Sequence, residues 1–447
     1  MINDTARTAD DVKILELTLI SSSGRNADLT KIFNVINIYE DIFEHVIKGT
    51  IQLIDGVNLL SEFSVHGNEF LKVAVEKVGL SGKDSRYEKI FRIYKITDRE
   101  KSPASQTQTY VLHFCSEELL FSNQQSISRS FTGENTSNYI KAICKSDLQI
   151  SNSKFGAFDQ SKGPNEFALI RKKPLEAIQY LAEQSFGEFN SPFFFYENKN
   201  GFNFQSLLNI YKSASLGELI YDRAAYTVDS NKSPYSNLNK IKSFKFNNNF
   251  DIDKATQEGM YSSKLYTLDL IRQKYVKNEI SILDEQTKQI MIDGYFPFNE
   301  STNKKNEPLY AAYDSRVRYW LTNKNHSNLP YFISKRVRSN DTYVEEMLAQ
   351  RKMLIEAINN TELHCVVPGN PLYSVGYTLN IKIPAFSVDQ ENQQNYDKYY
   401  SGTYLISAIR NVITPASWQT VIELSKNSVA APLSSAAGNY HKIAQRI

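Results

Sequence analysis

Apolar and polar residues alternate in short runs over the first 120 residues of the chain. In the stretch FLKVAVEKV, Leu71, Val73 and Val75 fall on one face of a strand, and Lys72 and Glu76 fall on the other. Glycine-containing turns separate this run from comparable ones near 12–20, 32–39, 47–54, 90–96 and 109–115. Short strands at this spacing predict a small barrel or sandwich over residues 11–120.

The hydrophobic period then changes to that of helices. Apolar residues recur at helical spacing near 136–146 and near 174–186, which predicts two helices. Pro174 stands at the start of the second one, where a helix tolerates proline. Two aromatic-rich runs follow and flank Asn200-Gly201, a strong hairpin signal. The run PFFFY is therefore interpreted as a buried strand of this hairpin, in preference to a surface on which nucleic-acid bases stack.

Strand patterns return over 240–275, in the runs IKSFKFNN and KLYTLDLI. A polar region broken by prolines follows at 276–340, where irregular structure with short elements is expected. A helix capped by Asp341 is predicted through about residue 359, followed by strands at 403–413 and 418–425. The predicted fold class is therefore β-rich α+β. The predicted division of the chain is a strand domain at 11–120, an α+β segment at 121–205, a second strand domain at 206–260 and 341–427, an irregular insertion at 261–340, and a tail at 428–447.

The stretch VVPGNPLYSVGYTLNIKIP, residues 366–384, could form either a ligand-binding loop or a corner between two strands. Its breaks are Pro368-Gly369-Asn370-Pro371 and Val375-Gly376. The backbone amides of the first break could form an anion nest, but both prolines lack an N–H. We therefore expect a corner, with one strand ending near Val367 and another over about 377–383.

Composition narrows the class of protein. The chain has 447 residues, 41% of them hydrophobic, with 27 Tyr and 25 Phe, so a sizeable core and extensive protein contacts are expected. Cys115, Cys144 and Cys365 are widely spaced, which indicates a reducing compartment. The N-terminus is polar and acidic, and no apolar run has the length of a membrane span, so neither a signal peptide nor a span is predicted.

No motif predicts catalysis, a cofactor or a metal. The six histidines form neither HExxH nor a zinc pattern, and Gly82-Lys83 lacks the upstream glycine of a phosphate loop. Carboxylate pairs such as Glu117-Glu118 and Glu345-Glu346 are typical of charged helix or strand ends. Acid–base work would require spatial pairing that sequence does not show.

Charge gives weak support for polyanion binding. The net charge is +2, and the mildly basic part is residues 231–352 at +6. The densest basic run is Lys335, Arg336 and Arg338, which is short and ends at an acidic helix start. A solvated or protein-facing surface is favoured over a nucleic-acid patch.

Three blocks of residues carry a family likeness. The first is residues 44–75, with Gly49, Gly67 and Glu69 between strands. The second comprises residues 127–144, 172–185 and 192–207. The third is residues 366–384 followed by 401–428, with a Pro-Gly-Asn turn, a Val-Gly turn, a strand, then Gly402-x-Tyr404 and two closing strands. In order and pattern, these blocks resemble the central baseplate hub proteins of contractile-tailed bacteriophages, and they are similar to the base of type VI secretion spikes.

The resemblance implies a homotrimer in which each chain contributes two tail-tube-like β-barrels. Six barrels in a ring would stack on a hexameric tail tube and remain three-fold toward a trimeric spike. The lumen would pass the tape-measure protein and then DNA. The expected partners are further copies of this chain, a separate spike protein, the tube protein and baseplate wedge proteins, with assembly in the host cytoplasm and a final place in the virion.

The resemblance also implies structural roles for particular residues and no cofactor, metal or catalytic group. The residues expected at barrel turns are Gly49, Gly67, Glu69, Pro368, Gly369, Asn370, Gly376 and Gly402. Three alternatives stay open at this point: a tail-associated cell-wall hydrolase, the hub of another contractile or type VI secretion system, and a nucleic-acid-binding protein.

Overall fold

The structure is a computed structural model that describes residues 8–63, 65–80, 82, 85–101, 107–162, 166–221, 237–249, 251–269, 274–296, 316–321, 344–385 and 396–431. Every structural statement below refers to these residues. Strands and helices are numbered in chain order. Strands dominate, so the predicted β-rich α+β class is confirmed.

The first strand group forms one end of a large sheet. Its elements are β1 (Val12–Ile20), β2 (Asn26–Asp28), β3 (Phe33–Asp41), β4 (Lys48–Asp55), α1 (Leu59–Glu62), β5 (Phe70–Lys77), β6 (Arg86–Lys101) and β7 (Gln108–Cys115). The strands pair antiparallel in the order β3-β4-β7-β6-β5-β1-β2. Alternation turns residues such as Ile51, Leu71 and Phe114 inward, where they form one buried cluster. Each such side chain contributes about 1.5–3 kcal/mol by burial.

The α+β segment packs beside this group. Its elements are α2 (Glu117–Gln124), β8 (Ile127–Phe131), α3 (Thr136–Ser146), β9 (Phe155–Phe158), β10 (Phe167–Lys172), α4 (Pro174–Glu183), β11 (Phe193–Asn198) and β12 (Gly201–Ser206). The helices α3 and α4 are those expected from the periodicity. Phe193 and Phe204 stack with ring centroids 4.5 Å apart in the cluster that these helices cover. The Asn-Gly hairpin joins β11 and β12, and Asn198 pairs with Gly201.

The next elements include a small separate sheet. They are α5 (Leu207–Lys212), β13 (Glu218–Tyr221), β14 (Lys240–Ile241), β15 (Ser243–Asn249), α6 (Ile252–Gln257), β16 (Ser262–Asp269), β17 (Lys274–Ser281), α7 (Glu285–Lys288), β18 (Arg316–Leu321) and α8 (Val344–Ile358). Strand β16 pairs antiparallel with β17 and parallel with β18. Strand β16 lies where the run KLYTLDLI predicts a strand, whereas the expectation of irregular structure over 276–340 is wrong for β18 and for most of β17. Both faces of β17 are partly exposed, as at Tyr275 and Val276, so the sequence lacks clear alternation there.

The last strands complete the large sheet. They are β19 (Thr361–Pro368), β20 (Thr378–Lys382), β21 (Gly402–Ile413) and β22 (Trp418–Lys426). Antiparallel pairings run β20-β21-β22-β19-β15, while β13 lies parallel between β14 and β20. Their inner side chains, with α5 and α8, enclose another buried cluster. The strands expected to end near Val367 and to cover 377–383 are β19 and β20.

A seam between β3 and β21 joins the first strand group to this second one, defined as β13–β15 and β19–β22. The seam pairs six residues of each strand, from Ala408 opposite Asp41 to Ile413 opposite Ile36. Among the described residues, the result is one curled 14-stranded sheet.

The two strand groups repeat one pairing order. In the first group, β1, β3, β4, β5, β6 and β7 are strands one to six in chain order. The first pairs with the fourth, the fourth with the fifth, the fifth with the sixth, the sixth with the third, and the third with the second. In the second group, β13, β14–β15, β19, β20, β21 and β22 pair in that same order. The pairings from the fourth strand round to the second are antiparallel in both groups.

Two features considered from the sequence lie outside the described residues. They are the basic run Lys335, Arg336 and Arg338, and the tail from residue 432. The three cysteines are buried and unpaired. No helix in the described part of the chain is long and apolar enough to cross a membrane.

Candidate functional surface

One face of the large sheet is polar and continues across both strand groups. The strands β6-β7-β4-β3-β21-β22-β19-β15 are successive neighbours, and every pairing among them is antiparallel. Their registers put one set of side chains on this polar face: Lys95, His113, Thr50, Asn37, Arg410, Val421, Glu423, His364 and Lys245. The other face carries the apolar side chains of the two large clusters.

At the seam, an arginine fixes the polar face of one group to that of the other. Arg410 of β21 donates from Nε and Nη2 to the Asn37 side-chain oxygen on β3, at 3.0 and 2.9 Å. Asn37 in turn donates to the Thr50 hydroxyl at 3.2 Å. On the buried face of β21, the Asn411 side-chain oxygen accepts from Trp418 and Thr420 of β22. Side-chain hydrogen bonds thus add to backbone pairing across the seam on the polar face, and between β21 and β22 on the buried face.

A histidine between two carboxylates lies on the polar face of β19 and β22. His364 Nε2 is 2.7 Å from a Glu362 oxygen and 3.4 Å from a Glu423 oxygen. Burial raises the pKa of the Glu423 carboxyl, against a hydrogen bond from Ser407. Their ligand atoms lie within 4.8 Å of one another, a spacing that could hold a cation. His364 and Glu362 contact each other and the Asn247 side chain, so hydrogen bonds explain their close approach without a bound ion.

Buried carboxylates connect the sheet to the α+β segment. The Glu197 carboxylate on β11 accepts from Lys89 Nζ at 2.7 Å, from the Ile47 amide at 2.9 Å and from the Ser116 hydroxyl. Glu118 forms an ion pair of 2.6 Å with Lys154. Burial, and then the charge of Glu197, raises the pKa of the Glu118 carboxyl.

A cavity of about 580 Å³ opens beside this network, and Glu117, Glu118 and Glu197 contribute to its lining. Each of these carboxylates has a basic partner: Arg92 for Glu117, Lys154 for Glu118 and Lys89 for Glu197. Paired acids of this kind hold two parts of a chain together. A general acid or nucleophile needs a carboxyl directed at a substrate instead.

A second buried acid connects the two strand groups. Glu40 of β3, which stands opposite Ile409 in the seam, accepts from the Ser374 hydroxyl at 2.6 Å and from the Val375 amide at 3.4 Å. Burial raises the pKa of its carboxyl, and these hydrogen bonds oppose that shift. The group is fully buried, and one of its oxygens has no hydrogen-bond partner among the described residues.

The residues predicted at turns of the first strand group differ in what they do. Glu69 precedes β5, and its carboxylate accepts from the amides of His66, Gly67 and Asn68 at 2.8, 2.9 and 3.0 Å. Gly67 has a φ of 91°, which favours glycine. Gly49 lies inside β4 and not in a turn; there a Cβ would come within 2.2 Å of the Phe114 ring.

Of those in the second group, all but Gly402 lie at the corner between β19 and β20. Pro368 ends β19, the Gly369 amide donates to the Trp418 carbonyl, and the Asn370 side chain accepts from the Leu372 amide. A Cβ at Gly369 would meet the Trp418 ring at 2.2 Å. Gly402 begins β21 with a φ of 130°.

Sequence reasoning missed the acids and the arginine that join the parts. Glu40 and Arg410 stand in alternating strand patterns, where a polar residue predicts a solvent-facing position. Glu197 follows the aromatic run FFFY in a strand that is buried on both faces. Only the tertiary pairing brings Glu40 to Ser374 or Arg410 to Asn37. No local signal in the sequence marks these contacts.

Comparison with solved structures identifies the fold. The chain is similar to a tail protein from Neisseria meningitidis MC58, with a TM-score of 0.52 and 11% identity over 94% of this chain and 99% of that one. It is also similar to the 43 kDa tail protein of prophage MuSo2 from Shewanella oneidensis, with a TM-score of 0.50 and 12% identity over 92% and 98% of the two chains. An E. coli component of the type VI secretion system matches at a TM-score of 0.42, with 7% identity over 93% and 76%.

The class that these structures define is that of phage tail proteins. The chain has this fold along almost its whole length, so the likeness expected from the three sequence blocks is confirmed at the level of the fold. No protein-family model and no curated protein sequence matches the chain.

Proposed function

We propose that the chain is the structural hub of a phage tail baseplate, a homotrimeric ring between the tail tube and a central spike. The observation that carries the proposal is the repeated strand order, joined at the β3–β21 seam, in a chain with a tail-protein fold. Two similar units in each chain make six units in a trimer. Such a ring matches a hexameric tube on one side and keeps three-fold symmetry toward a trimeric spike.

Each strand group would be one tube-like barrel. The first covers residues 11–120, and the second is formed by 206–260 and 341–427. The α+β segment at 121–205 and the insertion at 261–340 would lie outside the ring wall. The curled sheet and the two separate apolar clusters support this division.

The polar face would line the channel through the ring. It carries bases such as Lys95 and Arg410 together with acids such as Glu362 and Glu423, so no single sign dominates. A surface of mixed charge lets a polyanion pass without the counterion release that drives tight binding. This suits a channel for a tape-measure protein and then DNA.

The proposed partners follow from this position. They are two further copies of the chain, a trimeric spike protein, the tail tube protein and baseplate wedge proteins, assembled in the host cytoplasm and retained in the virion tail. The hub of a related contractile injection system would use the same fold and the same ring. In either setting the role is architectural, without catalysis or a cofactor.

The oligomeric mass of the purified protein, alone and with a co-expressed spike protein, tests the proposal. The expected result is three chains in one particle, either alone at three times the chain mass or together with the spike at that mass plus the mass of the spike trimer. A chain that stays monomeric in both samples would contradict the hub. In parallel, turbidity of a cell-wall suspension should stay constant on addition of the protein, and clearing of the suspension would favour a hydrolase.

A further inference from the structure

The strand repeat relates residues of the two groups one to one. Strand β21 shifts its register against β22 between Ile406 and Ala408, and β6 shifts against β7 between Ile93 and Lys95. Aligning the two shifts as the same place in the repeat makes Glu423, which pairs with His364, the counterpart of His113, which pairs with Thr50. Lys95 is thus the counterpart of Ala408.

The counterparts extend to the second strand of each group. Asn37 on β3 pairs with Thr50, and Lys245 on β15 pairs with His364. Asn37 and Lys245 are therefore equivalent positions. At the far end of the fifth strands, Val412 pairs with Gln419 and Glu100 pairs with Thr109. An extra residue near Asp98, which has a φ of 49°, brings Glu100 to the place of Val412.

The repeat is incomplete in one respect. The second half of β21 lies between β22 and β3, and β3 lies between β4 and β21. Their counterparts lack that pairing within the described chain: residues 95–101 of β6 pair only with β7, and β15 pairs only with β19. These two edges stand at opposite ends of the eight-stranded antiparallel run. Among the described residues, each of these two edges therefore lacks the neighbouring strand that β21 and β3 supply to each other.

We propose that β6 of one copy pairs antiparallel with β15 of a second copy, in the register of the β3–β21 seam. Since Val412 stands opposite Asn37 in the seam, Glu100 of one copy stands opposite Lys245 of the next. Both side chains are exposed in the single chain and lie on the polar face. A directly opposed pair of opposite charge favours this register over its neighbours.

The occupant of each edge is a second copy of this chain because the two edges fit each other. One repeat generates both, they differ in the sign of the charge at the matching position, and each lacks the partner the other supplies. A contact between two different patches propagates from copy to copy and closes into a ring when the rotation permits. This pairing would join the copies of the proposed hub, and the number of copies in the ring rests on that proposed function.

Cysteine cross-linking tests the pairing. The double variant Glu100→Cys/Lys245→Cys, mildly oxidised after purification of the full chain, should give covalent multimers on a non-reducing gel, up to the size of the closed ring. The native cysteines do not compete, because burial raises the pKa of Cys115 and Cys365 to about 12 and that of Cys144 still further. Mixing the two single variants should give dimers only.

The matched control moves one cysteine along the same strand. Lys95→Cys with Lys245→Cys keeps the polar face but leaves the register by about four positions, roughly 13 Å, so it should not cross-link. Cross-linking of both pairs, or of neither, would overturn the proposed register. Particle mass is measured on the same samples. If a ring forms but the Glu100→Cys/Lys245→Cys pair does not cross-link, the result supports the hub proposal and contradicts the proposed β6–β15 pairing.

A charge exchange provides a second readout. Glu100→Lys or Lys245→Glu alone should weaken association by about two- to five-fold for each interface, and the combined exchange should restore it. Failure of the double exchange to recover what the single changes lose would count against an opposed pair.

Discussion

Gly376 shows how one residue can fix the corner between β19 and β20. Its φ is +81°, and a Cβ there would stand 1.9 Å from the Tyr196 hydroxyl, which itself donates to Gln205. The sequence identified Gly369 and Gly376 as special because Pro-Gly-Asn and Val-Gly are turn signals. It did not show that Trp418 and Tyr196 fill the space beside them, since those contacts depend on residues far along the chain.

We predict that Gly376→Ala destabilises the fold much more than Gly24→Ala. Gly24 has nearly the same φ, +80°, but nothing lies within 4 Å of its Cβ position. The backbone term should cost about 1–2 kcal/mol in both variants. The clash should add about 1–3 kcal/mol to Gly376→Ala alone. Thermal unfolding of the two variants measures the difference, and equal losses would mean that Tyr196 moves aside freely.

Glu40 gives a pH dependence of defined sign. Burial raises the pKa of its carboxyl above the usual 4.5, so the folded chain holds the proton more tightly than the unfolded chain. This contribution to stability is full below the unfolded pKa and is lost as the pH rises through the folded pKa. Glu40→Gln keeps an oxygen for Ser374 without the charge. It should raise the Tm near about pH 8 and leave it unchanged near about pH 4.

Asp28→Asn is the control of opposite sign. Hydrogen bonds from the Thr30 amide and hydroxyl lower the pKa of the Asp28 carboxyl. Its contribution is present above the unfolded pKa and is lost as the pH falls through the folded one. The variant should therefore lose stability near about pH 8 and match the parent in strong acid. If both substitutions shifted the Tm in the same direction at high pH, the assignment for Glu40 would be wrong.

At the scale of elements, strong periodicity decided what could be predicted. Helices α3 and α4 and strands β19 and β20 follow from apolar spacing and from their Pro and Gly boundaries. Helix α2 was missed because its apolar residues Leu119, Leu120 and Phe121 are adjacent and do not follow helical spacing. Strand β17 was missed for the related reason that both of its faces are partly exposed. Strand β18 likewise exposes Val317 and Tyr319.

The separate sheet should also be the less stable element. Strands β16 and β17 border the smallest of the four buried clusters, whereas β4 and β22 lie within the large sheet. We expect amide hydrogens of 262–281 to exchange faster than those of 48–55 and 418–426. Hydrogen exchange followed by mass spectrometry of peptides from these ranges measures this. Equal protection in all three would indicate that the small sheet unfolds only together with the large one.

At the scale of the whole molecule, the repeat of strand order carries the account. The sequence predicted two strand domains but not their shared order, because pairing order depends on contacts between distant strands. The likeness to baseplate hub proteins came from the order and pattern of three blocks, which lie at 44–75, within 127–207, and at 366–384 with 401–428. The seam and the two unpaired edges became visible only when strand registers were compared.

A cryo-EM map of the purified assembly, alone or bound to its spike, would show the proposed ring itself. We expect a three-fold ring with six similar lobes around an open pore, and a sheet that continues from β6 of each copy to β15 of the next. The polar face should line the pore. A closed dimer, or a ring in which the polar face points outward, would contradict this expectation.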